Sequence, residues 1–317
     1  MTATPTIEAH NLTKTYPGGV EAVRGIDFTV GAGEVFGLLG PNGAGKSTTI
    51  GMFATTVAPT SGTARLAGHD VCRDPIAARR SSAVVFQDAV VDKPLSGRRN
   101  LMVHARLWGL DAAAARARVD TLVDLFGLTG IIDRPVGGYS GGERRRLEIA
   151  RGLVSEPRVL FLDEPTVGLD PRIRHELIDL IGGLRARSDM TILLTTHYLD
   201  EAEALCDRVA IIHAGEVVAL DTPSALLERV GHEIVELRVA GDADAGLATL
   251  RAHDVAGDGA FTVGNSIHVP LQGLRVGEAT AAIAGLGLAA TAVITRPPTL
   301  DDVYLQLTGQ VLAPLAV

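Results

Sequence analysis

Nine consecutive residues carry the plainest chemistry in this chain: Gly40, Pro41, Asn42, Gly43, Ala44, Gly45, Lys46, Ser47 and Thr48, directly after the apolar run from Val35 to Leu39. A glycine at each end of a short loop, followed by lysine and a hydroxyl residue, is the pattern of a phosphate-binding loop set between a strand and a helix. Its glycines let the backbone curl until its N–H groups converge on phosphate oxygens, and the helix that follows adds its positive end. Lys46 has the reach for β- and γ-phosphates, and the Ser47 hydroxyl can hold Mg²⁺. Gly40, Asn42, Gly43, Gly45 and Thr48 complete the candidate nucleotide-binding set.

Three further apolar runs end in polar residues: Ala83 to Phe86 in Gln87, Val159 to Leu162 in Asp163 and Glu164, and Ile192 to Leu194, through two threonines, in His197. Continuous rather than alternating apolar runs predict strands buried on both faces, as in a parallel sheet flanked by helices. Ligands of such sheets bind beyond the carboxyl ends of the strands. Gln87, Asp163, Glu164 and His197 therefore gather beside the phosphate-binding loop, where one nucleotide can touch them all. Between Gln87 and Ser140 the pattern turns helical: Leu101, Ala105 and Trp108 share a face, and Asp111 is placed to cap a helix running through Phe126. Ser140, Gly141, Gly142 and Glu143 open another helix. Serine three residues before glutamate is a capping box. Two glycines in a first turn are costly, about 1 kcal/mol each against alanine, and they make sense where a phosphate must approach the backbone.

These motifs, in this order, resemble the ATP-binding subunit of an ABC transporter over roughly residues 5–230. Gln87 resembles the family's Q-loop glutamine, and residues 139–143 its signature sequence, with Tyr139 for leucine and Glu143 for glutamine. Val159 to Glu164 resembles the Walker B strand, Gly168 to Asp170 the D-loop, and His197 the switch histidine. Tyr16 resembles the aromatic residue that stacks on adenine; taken by itself it reads equally as a packing residue. The resemblance implies that Asp163, with Ser47 and Gln87, holds Mg²⁺, that Glu164 is the general base, and that His197 and Gln87 orient the attack on the γ-phosphate. It implies a homodimer with two ATP molecules at its interface, in which Ser140, Gly141 and Gly142 of one chain face the loop of the other and Asp170 lies at the seam.

The remaining composition bounds the class. The net charge of −8 gives no reason to expect a nucleic-acid partner. Lys46 is one of only three lysines, with Lys14 and Lys93, in a chain that otherwise uses arginine. Aromatic residues make up 4% of the chain, which predicts a core of Ala, Val, Leu and Ile. Cys72 and Cys206 are isolated, as expected of a reduced cytosolic protein. The apolar stretch from Ala279 to Ile294 falls short of the roughly 18–20 residues of a membrane span and is broken by Gly285 and Gly287, so transport requires a separate membrane subunit. In the family a short cytosolic helix of that subunit docks near the Q-loop, here residues 88–108.

The predicted fold is α/β: a P-loop ABC ATPase core over residues 5–230, with an inserted helical subdomain at about 88–150, and a small α+β C-terminal domain over residues 231–312. In that domain Glu233–Val239, Ala245–His253, Ala260–Val263, Ile267–Val269, Arg275–Gly285 and Leu288–Thr295 read as β, α, β, β, α and β, a ferredoxin-like order, before a last helix over Leu300–Leu307. The ending from Thr295 to Leu305 resembles that of the daunorubicin-resistance-type ATPases, which partner ABC-2-type integral membrane subunits. This resemblance implies an exporter ATPase at the cytoplasmic face of the membrane, moving a drug-like or other hydrophobic small molecule. An importer ATPase, a lipid or polysaccharide exporter, and a soluble non-transport ABC ATPase remain open alternatives.

Overall fold

The computed structural model describes residues 4–310 except 89, 186–188, 272 and 274; the last two residues of the expected second domain, 311 and 312, lie outside that set. The chain divides into two compact units, Met1–Leu220 and Asp221–Val317. The break falls before the expected 230/231 boundary, because the helix Pro223–Val230 packs against Leu300–Thr308 of the second unit.

The first unit is built on a six-stranded sheet in the order Glu216–Asp221, Arg208–His213, Val35–Leu39, Thr191–Thr196, Val159–Asp163, Ser82–Val85. Val35–Leu39, Val159–Asp163 and Thr191–Thr196 are buried at every position, as continuous apolar runs require. Parallel register sets Leu39 beside Thr196 and Asp163 beside Thr195, so these strands end level with one another. Ser82–Val85 is the edge strand and only half of it is buried. A second sheet, not foreseen, is antiparallel, in the order Val20–Val30, Ile7–Tyr16, Ser61–Leu66, His69–Asp70.

Between the sheets the core is more aromatic than the composition suggested. Phe28 stacks on Phe36 with ring centroids 5.3 Å apart, meets Phe53 edge-on at 5.8 Å, and Phe53 lies 6.2 Å from Phe161. Four of the seven phenylalanines are thus concentrated around the helix Lys46–Phe53.

The helical insertion contains Gly97–Leu107, Ala112–Leu125 and Gly141–Gly152. Asp111 caps the second of these, its carboxylate accepting from the amides of Ala113 and Ala114 at 2.9 Å. Leu101 and Ala105 are fully buried, but Trp108 is not their partner on that face. The helix ends at Leu107 and Gly109 turns the chain with φ +83°, which leaves Trp108 37% exposed, its indole donating to His104 at 3.1 Å.

In the second unit an antiparallel sheet runs Phe261–Val263, Ser266–Leu271, Glu233–Val239, Ala290–Arg296. With the helices Ala243–Ala252 and Val276–Gly285 this is the expected ferredoxin-like order. The apolar stretch from Ala279 to Ile294 is the end of a helix, a turn and a strand; among the described residues no helix is long and apolar enough to cross a membrane. The C-terminal motif is architectural. Arg296 grips Asp302 through two hydrogen bonds of 2.7 and 2.8 Å, and the amide and hydroxyl of Thr299 donate to the same carboxylate.

Candidate active site

The phosphate-binding loop is wedged between neighbouring strands. Gly40 has φ +155°, and a Cβ there would sit 2.2 Å from the Ile212 carbonyl. Gly45 has φ +108°, and its Cβ would meet the Ala22 carbonyl at 2.4 Å. Neither position admits a side chain. Gly43, at φ +81° with open space around it, and Asn42 form the exposed crown of the loop. Gly45 then starts the helix Lys46–Phe53 with no side chain capping it.

Lys46 is 4% exposed. Its ammonium donates to the carbonyls of Gly40 at 2.7 Å and Pro41 at 3.2 Å and lies 3.4 Å from Glu164 Oε1. Burial pulls its pKa down, against the opposing pull of Glu164 and Asp163. The hydroxyl of Ser47 donates to Asp163 Oδ1 at 3.0 Å, and that of Thr195 donates to the same oxygen at 2.6 Å. The Glu164 amide in turn donates to Thr195 Oγ1 at 2.9 Å. This relay ties the Asp163 carboxylate and the Glu164 backbone to the neighbouring strand. Glu164 sits at φ +44°, a left-handed conformation costing about 1–2 kcal/mol for a residue with a side chain. Its carboxylate oxygen lies 3.4 Å from both Lys46 Nζ and His197 Nδ1, and that imidazole nitrogen is buried with no hydrogen-bond partner among the described residues.

Ser47 and Asp163 offer adjoining hard oxygens, the donor type Mg²⁺ prefers. Among the described residues no three His, Cys, Asp or Glu side chains cluster as a metal site, so an ion held here would take most of its other ligands from phosphate and water. Beside this pair the site can hold a triphosphate on the loop and polarise a water through Glu164.

Not every expected residue joins this cluster. The Tyr16 hydroxyl is 3.4 Å from Thr48 Oγ1, at the margin of the loop helix, with Lys14 Nζ over its ring at 5.1 Å. Gln87 is exposed beyond the end of its strand. Ser140 and Gly141 are exposed at the start of the helix Gly141–Gly152, and Asp170 is exposed, accepting from the Ile173 amide at 3.1 Å. The capping box forms in full: Glu143 turns back to the Ser140 amide at 2.7 Å, and the Glu143 amide donates to Ser140 Oγ at 3.2 Å. Gly142 is buried, and a Cβ there would stand 2.3 Å from Ile173 Cγ2, so close packing of two helices is a second reason for that glycine. Tyr139 fills the core and donates to the Ile131 carbonyl at 2.7 Å.

Several residues around the site carry roles that the sequence did not assign. Thr195 bridges the Asp163 carboxylate and the Glu164 amide. Glu201, buried at 2% exposure, accepts from Thr166 at 2.5 Å and Thr196 at 2.8 Å, tying the segment before Asp170 to the strand that leads into His197; burial pushes its pKa up. Arg145 hydrogen-bonds to the carbonyls of Asp163 and Glu164.

Comparison with known proteins agrees with this geometry. The family profile described as ABC transporter matches residues 23–167. The chain is 43% identical to the daunorubicin/doxorubicin resistance ATP-binding protein DrrA of Streptomyces peucetius, over 98% of this chain and 94% of the relative. It is 39% identical to the Nod factor export ATP-binding protein I of Burkholderia lata, over 96% and 97%. Among solved structures, cbiO1 of Clostridium perfringens, part of the ABC transporter complex cbiONQ, superposes with a TM-score of 0.66 at 30% identity, covering 71% of this chain and 94% of that one. A phosphate-binding loop facing paired carboxylates, on a chain alike almost end to end, places this protein in the ABC transporter family, as an ATP-hydrolysing subunit of the drug-resistance type.

Proposed function

We propose that this chain is the ATPase subunit of an exporter, bound at the cytoplasmic membrane face to a separate ABC-2-type integral membrane subunit, and that it powers efflux of a drug-like or other hydrophobic small molecule. The observation that carries the catalytic reading is the Glu164 carboxylate held between Lys46 and His197, beside the Ser47–Asp163 pair. The loop from Gly40 to Thr48 holds the triphosphate, with Lys46 on its β- and γ-phosphates and Tyr16 against the adenine. Ser47, Asp163 and Gln87 hold Mg²⁺, which when bound neutralises charge on the phosphates. Glu164 accepts the proton of a water as its oxygen attacks the γ-phosphorus and ADP leaves, and His197 orients that water.

Ser140, Gly141, Gly142 and Asp170 act across a homodimer. Ser140, Gly141 and Asp170 are exposed rather than turned into their own chain's site, which suits contact with the nucleotide on a second copy. Phe86, Val90, Val103, Leu107 and Trp108 are large apolar side chains left exposed along residues 86–108, and they support docking of the membrane subunit on this stretch; Ala89 lies outside the described residues. The DrrA and Nod factor relatives carry resistance and export in their names, which favours export over import.

Glu164→Gln tests the chemistry. ATP binding is retained or tightened, turnover falls by about 10²–10⁴-fold, and an ATP-bound dimer accumulates on gel filtration. Turnover at the wild-type rate would refute the base assignment. Gentle solubilisation of membranes carrying the tagged chain tests the rest: an integral membrane protein recovered in comparable amount is expected, and recovery from the soluble fraction alone would overturn the exporter reading.

A further inference from the structure

Arg145 is 6% exposed, and its guanidinium serves four backbone carbonyls. Nε donates to Pro165 O at 2.8 Å, Nη2 to Asp163 O at 2.9 Å and Glu164 O at 3.3 Å, and Nη1 to Phe86 O at 2.6 Å. Glu148, one turn along the same helix, balances its charge at 3.1 Å. Successive carbonyls of an extended strand point in opposite directions. Those of Asp163, Glu164 and Pro165 can converge on one cation only because the chain curls at Glu164, the residue at φ +44°. From the other end of the same helix, Arg151 hydrogen-bonds to the Val90 carbonyl. The segment bearing Gln87 is therefore fastened on both sides, at Phe86 and at Val90, to the helix that begins with Ser140, Gly141 and Gly142.

We infer that Arg145 is a positioning residue for hydrolysis: it holds Glu164 in its curled conformation and fixes the helix Gly141–Gly152 to both Glu164 and the entry of the Gln87 segment. A shift of that helix then reaches the base and the Gln87 segment together. Arginine is required because its planar fork addresses several acceptors from fixed directions, whereas a lysine ammonium is a single point. The inference rests on the reading of Glu164 as base.

The test uses the full chain and three variants, R145K, R145Q and E148Q, in steady-state ATP turnover, fluorescent-ATP binding and thermal melting. R145Q is expected to lose at least tenfold in kcat while its ATP Kd stays within threefold. R145K should recover part of that loss, and E148Q should lose about threefold. An unchanged kcat in R145Q would overturn the inference, and so would equal losses of binding and turnover, which mark general disruption. If R145Q fails to fold, E148Q decides: intact binding with slowed turnover supports the inference, and wild-type turnover defeats it. The two readings fail separately. Normal turnover by Glu164→Gln removes the base, whereas an inactive Glu164→Gln beside fully active Arg145 variants removes only the role of Arg145.

Discussion

Replacing Thr195 with valine keeps the volume of the side chain and removes one hydroxyl. That hydroxyl donates to Asp163 at 2.6 Å and accepts from the Glu164 amide at 2.9 Å, in a side chain with no solvent exposure. The Glu164 amide retains the Thr195 carbonyl at 3.2 Å, and Asp163 retains Ser47 at 3.0 Å. The loss is therefore one hydrogen bond to a buried carboxylate, worth about 2 kcal/mol. For a domain of this size that lowers the melting temperature by about 4–8 °C. If half of the loss is expressed in the transition state, turnover falls about fivefold; if all of it is, about thirtyfold. Thr195→Ser separates packing from hydrogen bonding: it forfeits one methyl, about 0.8 kcal/mol, and retains the relay, so it should melt slightly lower and turn over like the wild type. Phosphate release against ATP concentration, with calorimetric melting, measures both quantities. The relay has no role if Thr195→Val stays within twofold in kcat and within about 1 °C in melting, or if Thr195→Ser is as impaired as valine.

Two further perturbations address the helix contact and the second unit. Gly142→Ala drives a Cβ to 2.3 Å from Ile173 Cγ2 and should cost about 1–3 kcal/mol by overpacking. Ile173→Ala in the same chain makes room, so the double variant should melt higher than the sum of the two losses predicts, and strict additivity would contradict the contact. In the second unit, burial opposes ionisation of Asp302, but the hydrogen bonds from Arg296 and Thr299 outweigh it and hold the carboxyl below its ordinary range. The unfolded chain then binds that proton more readily than the folded one, so the stabilisation is complete above the ordinary carboxylate value of about 3.9 and is lost as pH falls through the depressed folded value. Arg296→Gln should move acid unfolding of this unit to higher pH, read as hydrogen exchange across Leu300–Thr308 between about pH 3 and 5. An unaltered acid profile would show that Arg296 does not set the Asp302 pKa.

The parallel strands were legible because burial on both faces leaves no polar interruption: Val35–Leu39 and Val159–Asp163 announce themselves and deliver their polar neighbours to one edge. The antiparallel sheet was not. Its alternation is broken by register shifts between Ala9 and Leu12, Leu12 and Thr13, and Lys14 and Thr15, so the buried residues Ile7, Ala9 and Leu12 keep no period of two. Trp108 shows a periodic face carried one residue past the end of its helix. Local chemistry was readable where it is truly local, as in the Ser140–Glu143 capping box and the Asp111 cap. Arg145 stands between Arg144 and Arg146, and composition cannot tell them apart. Helix phase can, because Arg145 shares a face with Gly142, Glu148 and Gly152, all buried. Thr195 carries no such signal, since its importance comes from lying beside Asp163 in a register set by the sheet.

Lys46 gives the Glu164→Gln experiment a sharper form. An ammonium has three N–H donors, and those of Lys46 already face Gly40 O at 2.7 Å, Pro41 O at 3.2 Å and Glu164 Oε1 at 3.4 Å. To bond a phosphate it must release one of them, and the longest contact, the one to Glu164, yields first. Phosphate then takes over the charge that offsets burial of the ammonium, and the freed carboxylate keeps His197 on one side and gains a water on the other. With Glu164 as the proposed base, this exchange would make it available only when a phosphate is in place. Glutamine at position 164 removes both the competing partner of Lys46 and a negative charge close to the triphosphate. At an effective dielectric of about 40, for a site open to water, unit charges about 5–8 Å apart repel by about 1–2 kcal/mol. Glu164→Gln should therefore bind ATP about fivefold to thirtyfold more tightly, by the same conversion of about 1.4 kcal/mol per tenfold, while turnover collapses. Weaker ATP binding by this variant would show that Lys46 and Glu164 do not exchange partners, even if Glu164 proves to be the base.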